Sequence, residues 1–385
     1  MNYFFTETEQ MIIDTCNEIG KKYFIPTRAK ADITKEYPQE VLRAMRDAGL
    51  FKVFIPEKYS GMGTNHMWLF LAVETLSKYC AGLVLPLAAS ALAATPIIIA
   101  GSEEQKQKYL TRIANGEIAA FALSEPDAGT DFMAMKTTAK KVLGGYLVSG
   151  GKHFITNGGN ATIITLFAKT RPDKGARGIS AFIIDLKENK EGFQVVGLED
   201  KLGIRASDTA TIAYDNYFVP NSQLLGKENH GMSIIDSTFA ESRPGIAAQS
   251  LGLASGALEM ALEYLSQRKQ FGAPVTSFQL VQASLFRAAM KLEAARALAY
   301  SAARSADSGY NPKKEACYSK VFASEMCVEV CKDMLILVGG IGVCKEYLAE
   351  KLYRDAPITM IYEGSSAILQ LVGFQQLMKD FKDKK

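Results

Sequence analysis

Glu363 stands in the run IYEGSSAILQ at 361–370, with Met360, Ile361 and Tyr362 before it and Gly364 after it. An apolar setting penalises the charged form of a carboxyl, raises its pKa and makes it a better proton acceptor near neutral pH. The same run also reads as a surface loop acid ahead of a helix, SAILQLVGFQQLM, with Ser365 or Ser366 as N-cap.

Four other tracts carry polar groups in arrangements that chemistry could use, and each has a plain structural reading beside it. FALSEPDAGTD, 121–131, offers the Ser124 and Thr130 hydroxyls and backbone amides to the polar edge of a cofactor, or is simply a turn. KHFITNGG, 152–159, is a strand whose Asn-Gly-Gly end suits a hairpin, or places Thr156 against a ligand lying across the strand. SQRKQFG, 266–272, has the basic residues and glycine of a helix C-terminus, yet Arg268 is also a natural pyrophosphate partner and Phe271 could cover a ring. VGGIG, 338–342, is a helix stop or a place where backbone approaches a nucleotide.

The elements that must position these tracts fall into three blocks. Residues 1–120 are helical by pattern: Met11, Ile12, Thr15, Ile19 and Tyr23 recur at helical spacing, as do Val41, Leu42 and Met45. From 121 to 230, short β-branched runs such as TIITLFAKT and GISAFIIDL alternate with glycine turns, predicting a β-barrel or sandwich. From 231 to 385 the helical period returns in long apolar stripes, predicting a four-helix bundle with surface left for subunit contacts. The fold class is α+β, mainly α. No GxGxxG follows a strand, so a nicotinamide-type dinucleotide site is not indicated.

Composition narrows the function classes. The 385 residues suffice for two or three domains, and 44 basic against 41 acidic residues without a basic block exclude a nucleic-acid partner. Six scattered cysteines form no disulfide framework, and three distant histidines (His66, His153, His230) predict no metal site. The charge-free run AGLVLPLAASALAATPIIIAG at 81–101 has the length of a membrane helix. Pro86, Pro96 and the small alanines predict instead two buried helices broken at the prolines, in a soluble, cytoplasmic protein with no membrane insertion.

In this order and at these separations, the five tracts resemble the acyl-CoA dehydrogenase family over essentially the whole chain. The resemblance implies a helical–β–helical fold, a homotetramer, one FAD per subunit and an acyl-CoA substrate, with electrons passed to electron-transferring flavoprotein. Glu363 matches the family's YEGT-type base, which takes the α-proton of the thioester while the β-hydrogen leaves as hydride to flavin N5. Enolate charge is then met by a ribityl hydroxyl and the glutamate's own backbone N–H. Phe121, Leu123, Ser124, Phe154, Ile155 and Thr156 match flavin-side positions, and Thr130 a substrate-side one. Arg268 and Phe271 match residues that reach a neighbouring subunit's FAD; Gly339 and Gly340 fall in a glycine turn near the nucleotide, and Ser365 matches a cofactor hydroxyl. Arg243, Tyr362 and Gly364 match substrate-side positions.

The chain departs from the family pattern at three places: Ile336 replaces a glutamine, Ala367 a polar residue and Asp127 a glycine. Some members carry the base on the helix before the RPG tract, where this chain has Ser242. Glu241 is one residue off, about 100° around a helix, which favours Glu363. Ala88, Ala89 and Ala91 give no arginine for a dicarboxylic tail, so glutaryl-CoA is disfavoured while short, medium, branched and alicyclic acyl groups stay open. The reductase direction is an alternative, and a cofactor-free helical scaffold is the reading from a different class.

Overall fold

The computed structural model describes residues 3–310 and 313–383. Helices come first: α1 (Glu7–Ile19), α2 (Ile25–Thr34), α3 (Gln39–Asp47), α4 (His66–Ser77), α5 (Ala81–Ala100) and the short α6 (Glu103–Gln105) and α7 (Thr111–Ala114). Eight strands follow: β1 (Ala119–Ala122), β2 (Thr138–Val142), β3 (Gly145–Thr156), β4 (Ile163–Lys169), β5 (Ile179–Asp185), β6 (Phe193–Leu198), β7 (Thr209–Pro220) and β8 (Leu224–Leu225). The remainder is α8 (Gly231–Gln267), a small hairpin of β9 (Lys269–Gln270) and β10 (Ala273–Pro274), then α9 (Gln279–Asp307), α10 (Lys313–Leu337), α11 (Leu348–Asp355) and α12 (Ser366–Asp383).

Local sequence sets several of these boundaries. Thr6 and Glu9 form a reciprocal capping box at the start of α1, and the Asn65 side chain accepts from Trp68 N at 3.0 Å to start α4. Residues 81–100 form one helix, not the two predicted from Pro86 and Pro96. Each proline removes one backbone donor, the one that would have met the carbonyl of Gly82 or of Leu92, but α5 is gripped by α4, α8 and β1, and that packing outweighs the local preference to break. The helix is long and apolar enough to cross a membrane, but 67% of its most apolar stretch is buried inside the chain, as in a core helix.

The strands form one mixed sheet in the order β6-β7-β3-β2-β4-β5-β8, with β1 pairing β4 in parallel. β2 joins its two neighbours unequally, pairing with β3 over five residues but with β4 only at Thr138–Lys169. Such a loose seam lets the two halves turn toward each other, as a barrel or sandwich requires. The stretches 146–150 and 153–156 belong to the single strand β3, and Asn157, Gly158 and Gly159 follow it. Its Asn-Gly-Gly end is a turn but not a hairpin, because β3 pairs with β2 and β7 rather than with β4.

Helix α8 is the axis of the C-terminal bundle and packs against α4, α5, α9 and α10, while α12 lies on α10. Close approach to α4 depends on Gly252, where an added Cβ would stand 2.2 Å from the Glu74 carbonyl oxygen and 2.6 Å from Ser77 Cβ. Replacing Gly252 by alanine must push the helices apart and should cost about 1–3 kcal/mol. The expected reading is a thermal midpoint lowered by a few degrees; an unchanged midpoint would show that the interface relaxes freely.

Candidate active site

The sharp turn Tyr362–Gly364 connects the bundle to α12. Glu363 adopts φ +54° and Gly364 φ +98°, both in the left-handed region that is unfavourable for a residue with a Cβ. Gly364 has a second reason to be glycine, since a Cβ there would stand 2.9 Å from Leu369 Cδ2. Ser365 starts α12, its hydroxyl accepting weakly from Ile368 N at 3.5 Å and its carbonyl from Leu369 N at 3.0 Å.

Side chains from two helices hold this turn. From α8, Ser242 Oγ donates to Glu363 Oε2 at 2.6 Å and Arg243 Nε donates to the Glu363 carbonyl at 3.3 Å. From α10, Lys320 Nζ donates to the Gly364 carbonyl at 2.8 Å. Glu363 keeps some accessible surface, although protein surrounds it on most sides. Burial pushes its carboxyl above the ordinary value; the Ser242 hydrogen bond and the charges of Arg243 and Lys320 oppose that rise without cancelling it. The group is therefore a stronger base than an exposed glutamate, set where a proton could be collected.

Glu241 points elsewhere. Its Oε2 lies 3.7 Å from His66 Nε2, and His66 Nδ1 contacts Asp307 at 3.0 Å. Burial alone would lower the imidazole, but Asp307 and Glu241 together raise it to about 9. The helical offset between 241 and 242 thus sends one side chain to a structural ion cluster and the other to Glu363.

Tyr362 donates its phenol to Gln249 Oε1, and Gln249 Nε2 donates to the Ala81 carbonyl at 3.3 Å. This polar chain runs from the start of α5 through α8 to the turn. Arg243 is buried, with its guanidinium 5.3 Å from the centre of the Phe239 ring. Phe239 in turn lies 5.9 Å from Phe121 on β1, linking the turn to the β domain through rings.

The two β-domain tracts come together. The Ser124 carbonyl accepts from His153 N at 2.9 Å, and buried Lys152 donates to the Leu123 carbonyl at 2.9 Å and to Glu125 Oε1 at 2.7 Å. Glu125 also accepts from Lys136 N at 2.5 Å and Thr137 N at 3.1 Å. Burial pushes its carboxyl up, but Lys152 and these amides outweigh that and hold it below the ordinary carboxylate range. For Lys152 burial prevails, and the amine is lowered to about 8. Leu123 and Ile155 are buried, Ser124 and Thr156 half-buried, and Thr130 exposed. Phe154 is 62% exposed at φ +58°.

The remaining predicted residues stay away from this centre within one chain. Arg268 and Phe271 sit on the β9–β10 hairpin, where Phe271 is 97% exposed at φ +50°; Gly339 (φ +76°) and Gly340 are exposed on a separate turn. Ile336 and Ala367 are exposed, and Asp127 is paired with Lys136 at 2.8 Å on the surface. The residues present fit a flavin nucleotide: the half-buried hydroxyls of Ser124 and Thr156 and the exposed Phe154 ring, on two tracts joined by the His153–Ser124 and Lys152–Leu123 hydrogen bonds, offer donors and a ring face, and the glycine turn has no atom within 4 Å of either added Cβ.

Sequence reasoning did not single out Glu125, Lys152, Gln249 or Lys320. For Lys320 a signal exists, because it shares the buried stripe of Ala316, Ala323 and Cys327 on α10, where a lysine is out of place.

Three family models match in chain order: the acyl-CoA dehydrogenase N-terminal domain over 6–117, the middle domain over 120–217 and the C-terminal domain over 229–378. The chain belongs to the acyl-CoA dehydrogenase family. It is 40% identical to an acyl-CoA dehydrogenase of Bacillus subtilis over 95% of this chain and 97% of the relative. It is 38% identical to the caffeyl-CoA reductase-Etf complex subunit CarC of Acetobacterium woodii, over 98% of this chain and all of the relative. The solved butyryl-CoA dehydrogenase of Megasphaera elsdenii superposes with a TM-score of 0.95 at 36% identity, covering 98% of this chain and all of that one. This acyl-CoA dehydrogenase is a flavoprotein oxidoreductase with FAD as its cofactor.

Because Lys152 ties the 152–159 tract to Glu125 of the 121–131 tract, Lys152→Met takes the cation from a buried carboxylate, a loss on the order of 3 kcal/mol. The variant should melt lower and emerge from gel filtration with less FAD per chain than the parent. The Glu125→Met, Lys152→Met pair should recover part of the melting temperature; a single variant with parental melting and FAD content would refute the role of the pair.

Proposed function

We propose that Glu363 is the base that removes the α-proton of an acyl-CoA thioester, the observation carrying this being its raised carboxyl held by Ser242 at 2.6 Å. FAD, when bound, supplies the acceptor for the β-hydride. A thioester α-proton is weakly acidic, so the base must be strong and fixed within reach before the proton moves. Ser242 fixes the carboxylate, while Arg243 and Lys320 fix the backbone that carries it. The Glu363 backbone N–H and Gly364 face the thioester oxygen, and Thr130, Arg243 and Tyr362 bound the substrate side.

On this reading Phe121, Leu123, Ser124, Phe154, Ile155, Thr156 and Ser365 contact the flavin of their own subunit. Arg268 and Phe271, exposed on a rigid hairpin, serve the neighbouring subunit of a homotetramer, and Gly339 and Gly340 admit its nucleotide. The exposure of Phe271 supports this, as an aromatic ring left in water has a large area to bury. A cytoplasmic enzyme that passes electrons to electron-transferring flavoprotein completes the proposal, supported by the likeness to a subunit of an Etf complex. That same relative is a reductase, and it favours as second reading the reduction of an enoyl-CoA at this site.

The acyl group is a short one. Gln249 and Tyr362 satisfy each other behind the base, and a long chain driven between them would leave buried polar groups unpaired. The likeness to a butyryl-CoA dehydrogenase points the same way.

Glu363→Gln should retain FAD and bind acyl-CoA, yet lose anaerobic flavin bleaching by at least about a hundredfold. Normal bleaching by that variant would assign the base elsewhere. Gln249→Ala should raise the rate with octanoyl-CoA relative to butyryl-CoA; a ratio equal to the parent's would show that the acyl chain does not pass Gln249.

A further inference from the structure

Lys320 is the one lysine of α10 that is fully buried, on the helix face turned toward the 362–364 turn, and its ammonium ends on a backbone carbonyl instead of a carboxylate. Burying an ammonium costs several kcal/mol, which a single neutral carbonyl does not return. Glu363 is the largest favourable influence on that charge, and Lys320 and Arg243 are the cations acting on Glu363.

We infer that Lys320 is a positioning residue for proton transfer, its ammonium fixing the Gly364–Ser365 peptide directly after the base and placing a second cation beside the Glu363 carboxylate. The inference deepens the proposed function and rests on Glu363 being the base. Arg243 and Lys320 divide the work. Arg243 holds the carbonyl of residue 363 from α8, and Lys320 holds that of residue 364 from α10, so neither of the two peptides that flank Gly364 can rotate without losing a charged hydrogen bond.

The other charged or titratable groups around Lys320 are Cys317 and Glu325 of its own helix; Tyr362 adjoins Glu363 on the turn, with Cys327 and Asp355 behind it. Asp236 and Lys313 lie farther out beside Cys317. Burial, with Arg243 adding to it, outweighs the acids and lowers the Lys320 amine to about 8. Lys320 is thus charged at neutral pH and loses its influence above about pH 8.

The sign follows. Removing the cation disfavours the ionised carboxyl, so the Glu363 titration moves to higher pH. In the FAD-loaded enzyme, Lys320→Met should shift the acid limb of the anaerobic flavin-reduction rate up by about one pH unit. The rate should fall about tenfold on the acid side and approach the parent's above pH 8, with FAD content unchanged. Lys320→Gln, which keeps a donor without the charge, should shift the limb similarly, and Lys320→Arg should restore it. A readout without turnover is the infrared carboxyl band of Glu363, assigned by its absence in Glu363→Gln, whose titration midpoint should move with the limb.

A limb and infrared midpoint that stay put in both neutral variants, with the rate reduced evenly at every pH, would overturn the inference. Should Lys320→Met not fold, Lys320→Gln and Lys320→Arg decide by the same comparison. A parent enzyme whose flavin no acyl-CoA bleaches would instead overturn the proposed function, while the infrared titration would still report on Lys320.

Discussion

Two cations from different helices donate to consecutive carbonyls of one turn, and the geometry of the site depends on that pairing. A turn with φ +54° at a glutamate and φ +98° at the next residue would relax if left to itself. Arg243 and Lys320 prevent this, and Ser242 orients the carboxylate at its tip. The Glu363 carboxyl therefore sits on a loop with the positional certainty of two packed helices.

That certainty is inherited from α8. Within one helix it presents Ser242 and Arg243 to the base and Gln249 to Tyr362, and through Gly252 it seats closely on α4. The Phe239 and Phe121 rings carry the connection on to β1, so β1 and the 362–364 turn are registered against the same element. On the far side, Lys152 and Glu125 make the corresponding link between the tract after β1 and the end of β3. Two buried lysines thus serve the two halves of the site, one with a carboxylate partner and one with a carbonyl.

The helical–β–helical order was legible because each block has its own apolar period, and the partial burial of Glu363 was legible from Met360, Ile361 and Tyr362 before it. The supporting residues were not. Lys320 in a helix reads first as a side chain that snorkels to water, although its helical spacing with Ala316, Ala323 and Cys327 signals an inward face that the fold bears out. Glu125 reads as a turn residue, whereas it collects donors from Lys136, Thr137 and Lys152. The prolines of α5 and the Asn-Gly-Gly of β3 misled for the same reason: local rules give the isolated preference, and the surrounding α4, α8 and β1, or the pairing of β3 with β7, decide the outcome. Arg268, Phe271, Gly339 and Gly340 acquired a role only from the family resemblance, since within one chain they lie on the surface.

The buried charges beneath the base have a further consequence. Two cations face one carboxylate there, so the pocket carries a positive excess that proton transfer does not change. On the proposed mechanism, when Glu363 becomes neutral the negative charge only moves to the substrate's thioester oxygen, still within the field of Arg243 and Lys320. The environment polarised for the resting carboxylate is already polarised for the enolate, and little reorganisation is left to perform during the step. The cations that oppose the rise of the Glu363 carboxyl would then be the ones that steady the enolate in an apolar site.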